Sequence, residues 1–195
     1  MGYAQLVEHS MTVEEYFEIE KTNEIRHEYY NGEIYAMAGT TLNHNRIVGK
    51  IRNLLSSHFI PRGCDVFSEN IKVKVSDIYY PYPDVMVTCA QSDISGSYVV
   101  EHPGILVEVV SKTSEINDRG FKLKRYKTIP ALRYYLLVSQ NECFAELFSR
   151  IDQKDIWIYS TFETSDDVIR FESFNFEMSL KAIYENITFV PDEVL

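Results

Sequence analysis

The sequence predicts an α/β fold in which one mixed sheet is flanked by helices. Three observations predict it. Apolar or alternating strand patterns recur between residues 71 and 138, a long helical repeat precedes them, and a basic helical segment separates two strands that are apolar on both faces. A chain of 195 residues fits one domain with a substantial core. It divides into a loosely held tail, residues 1–11, and a single domain, residues 12–195.

The elements follow in order. Thr12-Val-Glu-Glu15 has the form of a capping box, and Tyr16, Phe17 and Ile19 continue a short helix. In Glu28-Tyr-Tyr-Asn31-Gly32-Glu-Ile-Tyr35 an Asn-Gly pair sits between two β-prone runs, which marks a hairpin because both turn positions need positive φ. Over residues 42–60, Ile47, Val48, Ile51, Leu54, Leu55 and Phe59 recur at helical steps, and Pro61-Arg62-Gly63 closes the helix. Ile71, Val73 and Val75 alternate with Lys72 and Lys74, as in a half-buried strand. Val85-Met-Val-Thr-Cys89 is a second strand. Ile105-Leu-Val-Glu-Val-Val110 is a third, apolar on both faces except at Glu108, as central strands are. A helix follows over residues 117–128, then an apolar strand from Leu132 to Val138. Residues 143–149, 156–162 and 168–172 read as a meander, and 179–186 as a terminal helix.

A net charge of −10 lowers the expectation of a protein that coats DNA, because polyanions are repelled at long range. It does not exclude a nuclease, whose cleft needs only local positive charge and a metal ion. Cys64, Cys89 and Cys143 show no zinc-like spacing and read as reduced, partly buried thiols. The first ten residues lack a basic stretch followed by an apolar run, so no secretory signal is expected. No apolar run approaches the ~18–20 residues of a membrane span, and the cytoplasm is the expected location.

Two carboxylates stand where a core does not want them. Asp84 follows Pro83 at the entry to an apolar strand, and Glu108 lies inside another. An ionised side chain there costs several kcal/mol unless it is paired or bound to a metal. Adjacent strands lie about 4.8 Å apart, so two carboxylates on one face can share a divalent ion such as Mg²⁺, with Mn²⁺ as a substitute. The Val109 carbonyl would complete the protein's share of the shell. The competing reading is structural: Glu108 paired with Lys122 as a buried ion pair.

Pro83-Asp84, Glu108 in an apolar strand, and Asp118-Arg-Gly-Phe-Lys122-Leu-Lys-Arg-Tyr126 together resemble the PD-(D/E)xK nuclease superfamily. More closely, the chain resembles a family of endonucleases of unknown role expanded in cyanobacteria. The likeness runs through Tyr29-Tyr-Asn-Gly-Glu-Ile-Tyr-Ala-Met-Ala38, Asn43-His44, Val107-Glu108-Val-Val-Ser111 and Tyr135-Leu-Leu-Val138. The resemblance implies a restriction-endonuclease-like mixed sheet and Mg²⁺-dependent hydrolysis of phosphodiester bonds, with DNA as the expected substrate. It makes Asp84 and Glu108 metal ligands and Lys122 the catalytic lysine, moved to the helix because the usual position holds Val110. A lysine's flexible stem allows that move. Glu28 matches a further acidic position, which would orient water or support a second metal. Tyr134 stands where many relatives have Glu, and Asn31 where they have Asp. The alternative is a catalytically silent nuclease-like fold that binds nucleic acid or a protein partner.

Other polar residues carry plainer expectations. Lys124, Arg125 and Lys127 read as a solvated helix face, and Lys122 and Tyr126, one turn apart, as facing together. His44 is expected to hydrogen-bond locally at a helix start. His27, His58 and His102 read as structural. Tyr79, Tyr80 and Tyr82 read as packing residues, and Asp118 as a helix cap rather than an i,i+4 partner of Lys122. A homodimer is expected from the symmetry of duplex DNA, with no surface indicated.

Overall fold

The computed structural model describes residues 10–112, 114–151 and 155–189. The chain opens with α1 (Val13–Thr22), the hairpin β1 (His27–Tyr30) and β2 (Glu33–Ala36), and the long helix α2 (Leu42–Phe59). Strands β3 (Asp65–Ser68), β4 (Lys72–Val73), β5 (Tyr79–Tyr80) and β6 (Val85–Thr88) follow, then the short helix α3 (Gln91–Ile94), β7 (Val99–Val100) and β8 (Pro103–Val110). A π-helical segment (Asn117–Lys122) runs into α4 (Leu123–Tyr126). Strands β9 (Tyr134–Ser139), β10 (Ala145–Arg150), β11 (Trp157–Phe162), β12 (Val168–Phe171) and β13 (Phe176–Ser179) and helix α5 (Leu180–Tyr184) complete the described chain.

The local signals form as their chemistry requires. Thr12 and Glu15 make both bonds of the capping box. Asn31 and Gly32 take φ of 49° and 89° in the β1–β2 turn, where β-branched and bulky residues are strained. Thr41 caps α2, accepting from the His44 N–H at 3.1 Å. Met11, the last residue of the expected tail, is buried and donates its N–H to the Gly32 carbonyl at 3.0 Å. Residues 1–9 lie outside the described residues.

The central sheet has the order β11-β10-β9-β8-β6-β3. Its pairs are antiparallel except β8 with β9. That parallel pair requires a crossover, and the crossover is the basic helical segment between residues 111 and 133. Period-two alternation then sorts the strand residues onto two faces. Ile105, Val107 and Val109 face α2, packing with Ile47, Ile51 and Leu55. Leu106 and Val110 face the crossover, packing with Tyr126, Ile129 and Tyr135. Glu108 therefore falls on the crossover face.

Several expectations change. The strand expected at 71–75 reduces to Lys72–Val73, paired in parallel with β7 outside the central sheet. Lys72 is buried rather than solvent-facing, 3.6 Å from Glu20 and over the rings of Tyr16, Phe17 and Tyr82. β12 leaves the expected meander and pairs with β13. Cys64 and Cys89 form a disulfide, which corrects the expectation of reduced thiols. The β3–β6 pairing brings them together: Asp65 opposes Thr88, so the next residues out are the two cysteines. Among the described residues no helix is long and apolar enough to cross a membrane.

Candidate active site

Asp84 and Glu108 meet through strand register. β6 pairs with β8 so that Met86 opposes Leu106 and Val85 opposes Val107. One step further sets Asp84 across from Glu108, on the face of Met86 and Leu106. Beyond that point the ladder stops, and the Val109 N–H donates instead to Asp84 Oδ2 at 2.6 Å. The Val110 carbonyl accepts from Gln140 on the β9 side at 3.0 Å. By alternation the Val109 carbonyl points the other way, towards Asp84.

The crossover supplies the cation. Lys122 Nζ donates to Glu108 Oε1 at 2.9 Å and lies 3.6 Å from Glu28 Oε1 and 3.5 Å from Asp118 Oδ1. Tyr126, one turn on, donates its hydroxyl to the same Glu108 oxygen at 2.8 Å. Glu108 Oε2 takes part in neither contact. Burial lowers the Lys122 pKa, but Glu108, Glu28, Tyr126 and Asp118 outweigh it and raise the value well above the usual lysine one. Glu108 is raised well above the ordinary carboxylate range, first by burial, which Lys122 opposes, and then by Asp84 and Asp118. One ammonium is shared by too many carboxylates.

Glu28 reaches the cluster from a second sheet, β2-β1-β5, whose other face packs Tyr29, Ile34 and Tyr80 against Tyr16 of α1. Its Oε1 accepts from the Tyr82 N–H at 3.3 Å. Asp118 corrects the cap expectation. It sits inside the helical segment, 2 % exposed, donating its N–H to Ser114 and pairing with Lys122 at i,i+4. The π geometry of this segment widens a turn at the point where its side chains enter the site, a place where such turns recur.

His44 lies at the site, although local hydrogen bonding was its favoured reading. Its Nε2 lies 3.2 Å from Asp84 Oδ2, across forty positions of chain. Thr41 fixes this, donating to Gln140 at 2.7 Å and so tying the first turn of α2 to the end of β9. Burial lowers the His44 pKa, but the Asp84 hydrogen bond and the charges of Asp84, Glu69 and Asp118 outweigh it and raise the value. Its Nδ1 is buried without a hydrogen-bond partner.

Tyr134 is not part of the site. It faces the α2 side, where its hydroxyl bonds Ser173, so the missing carboxylate at this position leaves Glu108 untouched. Tyr79, Tyr80 and Tyr82 are buried and offer no open stacking platform. Arg125 is taken up by Tyr30 and Phe121, and Lys127 by Phe148 and Trp157, so neither joins Lys122 in the cluster. Among the described residues no three His, Cys, Asp or Glu side chains converge as a ready metal cage.

Comparison with known proteins agrees with this architecture. The chain is 31% identical over 180 residues to an uncharacterised protein of Synechocystis sp., covering 92% of this chain and 94% of that one. A second uncharacterised Synechocystis protein is 31% identical over 133 residues, 67% of this chain and 75% of its own. A crystal structure of a putative nuclease belonging to DUF820 from Anabaena variabilis superposes with a TM-score of 0.71 at 19% identity, over 89% of this chain and 97% of that one, and shares the fold. The Uma2 family model, described as putative restriction endonuclease, matches residues 13–182, and the chain belongs to that family.

Proposed function

We propose that this protein is a divalent-metal-dependent nuclease that hydrolyses phosphodiester bonds, with DNA as its substrate. One observation carries the reading: register sets Asp84 across from Glu108 on one face, and the Lys122 ammonium lies 2.9 Å from Glu108. The residues present fit a hard cation. Glu28, Asp84, Glu108 and Asp118 outnumber Lys122 and His44, and burial, with Asp84 and Asp118 adding to it, disfavours the ionised form of Glu108. Asp84, Glu108 and the Val109 carbonyl would hold Mg²⁺, which keeps several of its waters and so needs no closed cage. The ion would polarise a phosphoryl oxygen and lower the pKa of a bound water.

The chain's own residues complete the chemistry. Lys122, held charged, stabilises negative charge building on the phosphate in the transition state. Tyr126 fixes Glu108, and His44 with the Val109 N–H fixes Asp84, as outer partners fix the ligands of metal sites. Glu28 is placed to orient a water beside Lys122.

A second reading has an observation in its favour. Glu108 and Lys122 already form a buried ion pair, as they would in a catalytically silent fold that binds nucleic acid or a protein partner. Calorimetric titration of Mg²⁺ and Mn²⁺, with a DNA cleavage assay, separates the two. The nuclease reading expects binding by the native protein, loss of binding in Asp84→Ala/Glu108→Ala, and cleavage abolished by Asp84→Ala and by Lys122→Ala. Equal cleavage by these variants would overturn it. Absence of metal binding with or without oligonucleotide would select the silent fold.

A further inference from the structure

We propose that β11 is the surface through which two copies of this chain pair, edge to edge and antiparallel, joining their central sheets into one of twelve strands. β11 ends the six-stranded sheet. The Ile156 carbonyl accepts from the Ile151 N–H at 2.9 Å, so even-numbered residues turn their backbone groups towards β10. By alternation, the N–H and C=O groups of Trp157, Tyr159 and Thr161 point outward from the sheet. Such an edge is ordinarily blunted by charge, proline, a bulge or shortness. Trp157–Phe162 is six residues long, carries no charge and no proline, and pairs with β10 in unbroken register. The opposite edge, β3, is four residues long and carries Asp65.

The side chains on this edge are apolar and open. Ile156 is 50% exposed, Ile158 51% and Tyr159 53%. Two copies of a chain with net charge −10 repel, and approach costs least along an uncharged strand.

A second copy is the occupant because the edge is complementary to its own two-fold image. Centred on Ile158, the pairing sets that residue against itself in a non-hydrogen-bonded pair, where side chains approach most closely. Trp157 then faces Tyr159 of the second copy, and Tyr159 faces its Trp157. Lys127 and Arg150 lie 5.5 and 4.7 Å from the Trp157 ring, whereas the Tyr159 hydroxyl donates to Glu146 at 2.7 Å. The pairing therefore sets the end of each edge that carries Lys127 and Arg150, with Asp155 acting on both, against the end of the other that carries Glu146 and Glu163, with Arg119 bonded to Glu146, twice. A foreign strand offers the backbone pairing without this reciprocity.

The two-fold axis stands perpendicular to the joined sheet at its centre, and the twist of roughly 20–25° per strand turns the two candidate sites away from each other. Their β8 strands lie seven strand spacings apart, about 34 Å.

The test is the oligomeric state of the full chain by sedimentation and light scattering, without nucleic acid. Native protein is expected to be a dimer at micromolar concentration. Ile158→Lys, which sets like charges across the axis, is expected to be a monomer with unchanged circular dichroism. Ile158→Cys in a Cys143→Ser background is expected to give a disulfide-linked dimer under mild oxidation, a readout that stands even if the lysine variant fails to fold. Native protein that stays monomeric at its highest soluble concentration would overturn the proposal. So would a dimer that survives Ile158→Lys, or one that Ile158→Cys does not cross-link. None of these outcomes depends on cleavage, so failure here and failure of the nuclease reading are distinguishable.

Discussion

Lys122 is the single cation among Glu28, Glu108 and Asp118, and removing it strands three carboxylates in a buried site. Breaking a buried ion pair from one side costs about 3–5 kcal/mol. Lys122→Ala should therefore lose stability on that scale in urea titration as well as losing cleavage. An unchanged midpoint would mean the cluster is already neutral. Asp93 is a buried carboxylate with a different role. It accepts from the Thr88 hydroxyl at 2.7 Å and from the Glu101 and His102 N–H groups at 3.0 and 2.9 Å. Burial pushes its pKa up, but these bonds outweigh burial and hold it below the usual value. Its native form thus binds fewer protons than its unfolded form. The stability it contributes is present above the unfolded value near ~3.9 and is lost as pH falls through the folded one. Asp93→Ala should cost about 1–3 kcal/mol at neutral pH. Its acid unfolding curve should also be flatter below about pH 4. A curve parallel to that of the native protein would remove Asp93 from the account.

At the scale of elements, the disulfide ties the turn after α2 to the end of β6 across a sequence separation of 25. Closing a loop of that length removes unfolded-state entropy worth about 3.5 kcal/mol. Cys64→Ser/Cys89→Ser protein should unfold at lower denaturant by a comparable amount, without change in the far-ultraviolet spectrum. Equal midpoints with and without reductant would show that β3–β6 pairing alone holds this corner. The crossover shows the opposite economy. One segment of chain covers a sheet face with Tyr126 and Ile129 and, from the same turns, delivers Lys122 and Asp118 to the site. Packing and chemistry on this segment cannot be separated by deletion.

At the scale of the whole molecule, a net charge of −10 sets how a polyanion can approach. Arg125 and Lys127 are engaged by aromatic rings, and Lys122 is buried, so these three are not free to displace counterions. Binding to duplex DNA should therefore be weak without divalent ions. Its dependence on salt should also be shallow, with a log–log slope smaller in magnitude than about 5. Fluorescence anisotropy over a salt series measures this. A steeper slope would reveal a phosphate-gripping surface elsewhere.

What the sequence determined by itself was local or periodic. The Thr12 capping box, the Asn31-Gly32 turn, the α2 repeat and the apolar runs of β8 and β9 are each specified by residues within a few positions of one another. Asp84 and Glu108 stood out as candidates because a charge at the entry of an apolar strand, or inside one, conflicts with its surroundings and asks for a partner, whereas Lys122 entered through the family resemblance. Tertiary structure decided what depends on register and on contacts between distant segments. The β3–β6 pairing made a disulfide of two cysteines that no spacing linked, and the tether of Thr41 to Gln140 carried His44 to Asp84. Burial turned Asp118 from a cap into a member of the cluster, and strand alternation put Tyr134 on the face away from Glu108. These outcomes turn on free-energy differences between whole packings of the chain, which no window of sequence contains.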